Sequence, residues 1–250
     1  RTFKRLCGCF IRKNKRRKII PIETLETAKP GYANGISTQL QALIEKGENR
    51  SLNKEEKEQI IEEAALHYGK FLTALGVNWK EDPNSMETPV RVARSFVNEL
   101  WNGRYNLLKE ISSFPNDYEG CITQTKIRLR SLCSHHHREI YGLVHISYCP
   151  GKGGKVIGLS KLNRIVEHFG RRGNIQEDLT EYIHSAINKV CEDNLGVAVQ
   201  IVAEHSCIKC RATNDESVMV TTRLSGVYKD NNNLARQEFF DAIKSSHMLK

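Results

Sequence analysis

Residues 132–142 read L-C-S-H-H-H-R-E-I-Y-G. Cys133 and His136 stand three apart, a spacing at which a thiolate and an imidazole on one tight bend can grip a single Zn²⁺. A second piece, H-S-C-I-K-C-R at 205–211, offers further thiols much later in the chain. For both pieces to serve one metal, the intervening residues must close on themselves as a compact domain. The flanking runs, 121–132 (C-I-T-Q-T-K-I-R-L-R-S-L) and 140–148 (I-Y-G-L-V-H-I-S-Y), are rich in β-branched residues and partly alternate. They read as a β pair with the Cys/His bend at its tip.

Outward from that pair, the turn P-G-K-G-G-K is followed by V-I-G-L and by Ser160, which can cap a helix running through Phe169. Another helix is expected from Gln176 to Asn194, strands at Val197–Cys207 and Val218–Val227, and a last helix from near Asn233. The order after residue 115 is thus β-β-α-α-β-β-α. It predicts an α+β fold, an antiparallel sheet with helices packed on one face. On the N-terminal side Asn53 can cap a helix whose first turns carry Glu55, Glu56 and Glu58. Its apolar face comprises Ile60, Ile61, Ala64, Ala65, Tyr68, Phe71, Leu72 and Leu75, and Gly76 ends it. Thr88 and Pro89 read as cap and first residue of a second helix. The organisation expected is a basic disordered tail over 1–38, a helical region over 39–115 and the catalytic domain over 116–250.

The chain has 250 residues and a net charge of +9. Nine Lys or Arg and no acid fall in residues 1–18, and the remaining 29 basic residues face 29 acidic ones. The basicity therefore belongs to the tail, and nucleic-acid binding is not expected of the body. Cys7 and Cys9 beside that basic block could take a lipid chain and touch an anionic membrane; a solvated tail with incidental cysteines is the plainer reading. A chain starting at Arg is expected to be trimmed at this end. No run approaches the ~18 apolar residues of a membrane span, so a cytoplasmic protein is expected. In that compartment the eight cysteines read as metal ligands and reduced thiols.

Cys133, His136, Cys207 and Cys210 could form a closed structural zinc site. On a continuing strand, however, His205, Cys207, Lys209 and Arg211 share one face and Cys210 points away. Three ligands plus a water, an open catalytic site, fits better. His135 and His205 adjoin ligands and suit acid/base work near pH 7. Ser160, Lys161 and Arg164 fall on the first turn of a helix, where backbone N–H groups and two cations can hold phosphate; an ordinary Ser cap with exposed basic residues fits that stretch equally. Arg211 adds a cation. Gln176 and Glu177 could be a helix-start capping pair, or Glu177 could accept paired N–H donors from a guanine edge.

Six motifs in order then resemble the GTP cyclohydrolase I family: L-x-A-L-G at 72–76, T-P-x-R-V-A at 88–93, C-x-H-H at 133–136, G-L-S-K-L-x-R-I-V-E at 158–167, Q-E-x-L-T at 176–180 and H-x-C-x-x-x-R at 205–211. The resemblance covers about residues 55–245. It implies a T-fold (tunnelling fold) assembled as a toroidal homodecamer with active sites between subunits. It implies zinc on Cys133, His136 and Cys207, and acid/base roles for His135 and His205. The guanine contact falls on Glu177 with Gln176 beside it, and the triphosphate and ribose contacts on Ser160, Lys161, Arg164 and Arg211. The implied reaction turns GTP and water into 7,8-dihydroneopterin triphosphate and formate, at the head of tetrahydrofolate- or tetrahydrobiopterin-type synthesis. Departures cluster around the site. Ser134 replaces the usual Glu, His137 to Ile140 replace an apolar L-x-P-F, Asn174 and Asp178 stand for Gln and Arg, and Ala212 stands where Gly is common. A diverged paralogue serving as a regulatory subunit, and another T-fold enzyme such as the deazaguanine nitrile reductase, are the alternative readings.

Overall fold

The computed structural model describes residues 51–210, 215–231, 234–246 and 248. The expected tail, with Cys7 and Cys9, and both Arg211 and Ala212 lie outside them. Helix α1 (Lys54–Ala74) begins with a capping box: Asn53 Oδ1 accepts from Glu56 N at 2.8 Å and the Glu56 carboxylate accepts from Asn53 N at 2.9 Å. It ends at Leu75, and Gly76 takes φ +75°, the left-handed turn a glycine allows. Helix α2 (Thr88–Ser95) starts one residue earlier than expected, with Glu87 as cap and Thr88 already inside. It runs through a π turn (Phe96–Leu100) into the short α3 (Asn102–Tyr105). Ile61, Ala65, Ala93, Val97 and Tyr105 bury one another between these helices. The expected apolar face of α1 is longer than the surface that covers it, for Phe71 and Leu75 remain 54% and 63% exposed.

Four antiparallel strands follow in the sheet order β2-β3-β5-β6: β2 (Ile122–Leu132), β3 (Glu139–Cys149), β5 (Gly196–His205) and β6 (Val218–Leu224). Alternation places Ile127, Leu129, Val144, Ile146, Val199 and Ile201 on one face. There helices α4 (Leu159–Gly170) and α5 (Gln176–Val190) cover them with Leu162, Ile165, Val166, Leu179, Ile183 and Ile187. This apolar layer is the main core, and the expected α+β order is present. Two features differ from expectation. A second small sheet pairs β1 (Ser113–Pro115) with β4 (Lys155–Ile157), too short to carry an alternation. Helix α7 (Leu234–Ser246) packs Phe239 and Ile243 with Ala198 and Cys149, residues of the opposite strand parity, so it covers part of the other sheet face.

Cysteine usage also differs. Cys121 and Cys149, directly beyond the Ile122↔Tyr148 pair, are joined by a disulfide, whereas Cys133, Cys191, Cys207 and Cys210 are not disulfide-bonded.

Candidate metal centre

The bend is closed by its own backbone. Cys133 N donates to Arg138 O and His137 N to Cys133 O, both at 2.8 Å. The second bond spans four residues and makes 133–137 a single helical turn, so side chains three apart share a side. His137 takes φ +50° and sets its ring 5.0 Å from Trp101 and 6.3 Å from Phe96. The bend thereby leans on the N-terminal helices. Asn174 ties it to the α4–α5 connection: Asn174 N donates to Leu132 O at 3.1 Å, Ser134 N to Asn174 O at 3.3 Å, and Asn174 Nδ2 to Phe169 O at 2.7 Å. In the sequence Asn174 and His137 stand out only as departures from the family pattern. Their packing roles depend on partners distant in sequence.

The second half-site arrives by register. Ile140 pairs with His205, which ends β5 beside the bend. Here the strand stops: Ser206–Lys209 form α6, one helical turn with Cys210 N on Ser206 O at 2.9 Å. The parity that was expected to separate Cys207 from Cys210 therefore does not operate. Helical turning places them instead, with Cys207 half-buried and Cys210 exposed. Among the described residues, Cys133, His205 and Cys207 offer ligand atoms within 4.8 Å of one another. Zinc bond lengths of 2.0–2.3 Å place tetrahedral donors ~3.3–3.8 Å apart. Two thiols and an imidazole at this spacing fit such an ion after a small closure.

The other candidates fall at three distances from this group. His135 stands next to it, its Nδ1 3.7 Å from Cys133 Sγ; its ring centroid is 6.3 Å from that of His136, and both are exposed. His136 lies outside the three-residue group but on the same turn as Cys133. Gln176 Oε1 accepts from His205 Nε2 at 2.8 Å, and Glu177 is exposed one residue on. Burial holds the His205 imidazole below its ordinary value, and the Glu177 charge partly opposes that. His205 is thus neutral near pH 7.

Ser160, Lys161 and Arg164 lie along α4, ~15, ~14 and ~9 Å by helical rise from its end at Gly170. Gly158, not Ser160, precedes α4 as its cap residue, and Ser160 makes no capping bond. The C-terminal end of α4 meets the site through Phe169 and Asn174, and twelve residues at 1.5 Å per residue put its start ~18 Å away. Ser160 and Arg164 are exposed.

The family profile described as GTP cyclohydrolase I matches residues 64–244. The chain belongs to the GTP cyclohydrolase I family. It is 37% identical over 216 residues to GTP cyclohydrolase 1 of Aeromonas salmonicida, covering 85% of this chain and 92% of that protein. It is 35% identical over 216 residues to the Enterobacter sp. protein of the same name, covering 85% and 91%. Against GTP cyclohydrolase 1 of Pasteurella multocida it is 35% identical over 208 residues, covering 81% and 93%. The family match spans α1 to α7, so the helical layer, both half-sites of the metal group and α4 all lie within it. Among the described residues no helix is long and apolar enough to cross a membrane.

Proposed function

We propose that the chain is a GTP cyclohydrolase I that converts GTP and water to 7,8-dihydroneopterin triphosphate and formate. The carrying observation is the convergence of Cys133, His205 and Cys207 within 4.8 Å in a chain of this family. Zinc would be held by Cys133, Cys207 and the imidazole of His136, and supplies the Lewis acidity that makes water a nucleophile near neutral pH. His136 is assigned as the third donor from the C-x-H-H motif at 133–136, which leaves His205, the imidazole that converges with the two thiols here, for proton transfer.

The chain's own residues bind and move protons. Neutral His205, only 8% exposed, accepts and returns a proton at the purine imidazole ring. Exposed His135 exchanges protons with solvent. Glu177 accepts paired N–H bonds from the guanine edge. Two waters add, at ring opening and at formate release, and one leaves when the rearranged ribose closes the pterin ring, giving a net uptake of one.

Lys161, Arg164 and Ser160 hold the triphosphate, with Arg211 beside them. Because α4 carries Ser160 and Lys161 ~14–15 Å along its axis from the end that meets the site, with Arg164 ~9 Å from that end, we assign their role to the site of a neighbouring copy. This supports a homo-oligomer, and the homodecamer is the assembly we assign. A cytoplasmic enzyme feeding tetrahydrofolate- or tetrahydrobiopterin-type synthesis follows from that reaction.

The test is GTP turnover by purified, zinc-quantified protein, following formate and pterin fluorescence. Turnover with about one zinc per chain, abolished in Cys207→Ala, is expected. Zinc bound with no turnover would overturn the reading in favour of a regulatory paralogue.

A further inference from the structure

Gln176 is 1% exposed, and both ends of its amide are engaged. Its Nε2 lies 3.3 Å from Ile201 O, 3.1 Å from Met219 O and 3.1 Å from Thr221 Oγ1. Carbonyl oxygens only accept, so the nitrogen end must face β5 and β6; a flipped amide would set oxygen against two carbonyls. Oε1 must then face His205.

The hydroxyls agree with this direction. Thr180 Oγ1 donates to Gln176 O at 2.7 Å, which spends its only proton, so at the 2.7 Å Thr180–Thr221 contact Thr221 must donate. Thr221 is left to accept from Gln176 Nε2. Two amide protons thus face three acceptors on β5 and β6, and the Thr180–Thr221 contact runs in the same direction.

An amide oxygen cannot donate, so His205 Nε2, 2.8 Å away, must carry the proton. In a neutral imidazole the other nitrogen is then a bare lone pair. We propose that Gln176 is a positioning residue that fixes His205 as its Nε2–H tautomer and leaves the Nδ1 lone pair turned away from the amide. Gln176 is correspondingly unavailable to the guanine ring, and that contact falls to Glu177 alone. The catalytic consequence rests on the proposed GTP reaction; the tautomer itself does not.

The experiment uses the full chain, metal-free and labelled with ¹⁵N-histidine, with the His205 signals assigned by their loss in His205→Ala. At neutral pH, long-range ¹H–¹⁵N correlation is expected to show His205 wholly as the Nε2–H form. An Nδ1–H form in the unsubstituted protein would overturn the proposal without need of any variant. Gln176→Leu, similar in size but without an acceptor, is expected to give mixed tautomers. In the zinc-loaded enzyme it should lower kcat by about 10- to 100-fold while KM for GTP stays within about twofold. An unchanged tautomer with a raised KM would instead make Gln176 a substrate contact and overturn it. Absence of turnover in the unsubstituted protein, with the tautomer pure there and mixed in Gln176→Leu, would sink the GTP reading and sustain this one.

Discussion

The two ends of the four-stranded sheet use the same strands in opposite ways. At the metal end, β2 and β3 are joined by a bend held by backbone hydrogen bonds and by the His137 ring against Trp101, and β5 delivers His205 onto a buried amide that orients it. At the far end, Cys121 and Cys149 are covalently joined. Tyr228, fully buried, sets its OH 2.7 Å from Ser147 Oγ and 3.2 Å from Cys149 Sγ, a bridged sulfur that can only accept. Burial pushes that phenol up to about 12, so it stays a donor. One end keeps lone pairs available and the other ties every group down. The comparison teaches that the reactive donors are held by groups whose own hydrogen bonds are complete, while rigidity is concentrated away from them.

The largest effect expected at the metal end is from Cys207→Ala or Cys133→Ala. Losing a metal ligand removes several kcal/mol of transition-state stabilisation, so turnover should fall by about 10³-fold or more, with bound zinc lost in parallel by metal analysis. Far-ultraviolet circular dichroism should change least for Cys207→Ala, because half-buried Cys207 only packs against the apolar layer, whereas Cys133 is one of its buried members.

Arg164, on α4 ~9 Å along the axis from the end that meets the site, gives the next expectation. Arg164→Ala should raise KM for GTP by about tenfold, the loss of one charge-assisted phosphate contact. When Arg164→Ala and Cys207→Ala chains are unfolded and reassembled together, part of the turnover should return, since some sites then combine two intact halves. No recovery above the separate variants would place both halves in one chain.

At the far end, replacing Cys121 and Cys149 together by Ser should lower unfolding stability by about 2–4 kcal/mol, the range for a closed loop of this size, read from denaturant midpoints. Turnover at 25 °C should stay within about twofold. A large loss of kcat would show that the two ends are coupled.

The smallest effect is in pH. On α4, toward the metal end, burial and then the neighbouring Arg172 charge bring the His168 imidazole down to about 4. A folded value below the ordinary 6.5 means that the unfolded chain binds more protons between those limits. Stability is therefore full above pH 6.5 and falls as pH drops toward 4. The ring is partly solvated, so the loss should be only about 1–2 kcal/mol. His168→Gln should flatten that slope in urea titrations run from pH 7 to 4.5.

Much of this was legible in residue order. The cap at Asn53, the β pair around 133–138 and the apolar spacing of α4 and α5 are local, and each uses contacts within one turn or between two strands adjacent in the chain. The six ordered motifs that resemble the family are likewise a property of the linear chain. What misled was continuation. The strand expected to run on to Cys207 stops at His205 because Ser206 begins a helical turn, and the apolar face of α1 outruns its cover in a single chain.

By itself, the sequence determined which residue types are present at spacings suited to metal, proton transfer and phosphate, and which segments must bury an apolar face. Those follow from covalent order and from periods of two and 3.6 residues. Only the tertiary structure decided which of them meet. Strand register brings Ile140 opposite His205, and a buried amide with one allowed orientation sets the tautomer of that histidine. A twelve-residue helix holds Ser160 and Lys161 at its remote end and Arg164 near its middle. Register, amide direction and helix reach depend on the partners across the fold, and no local pattern encodes them.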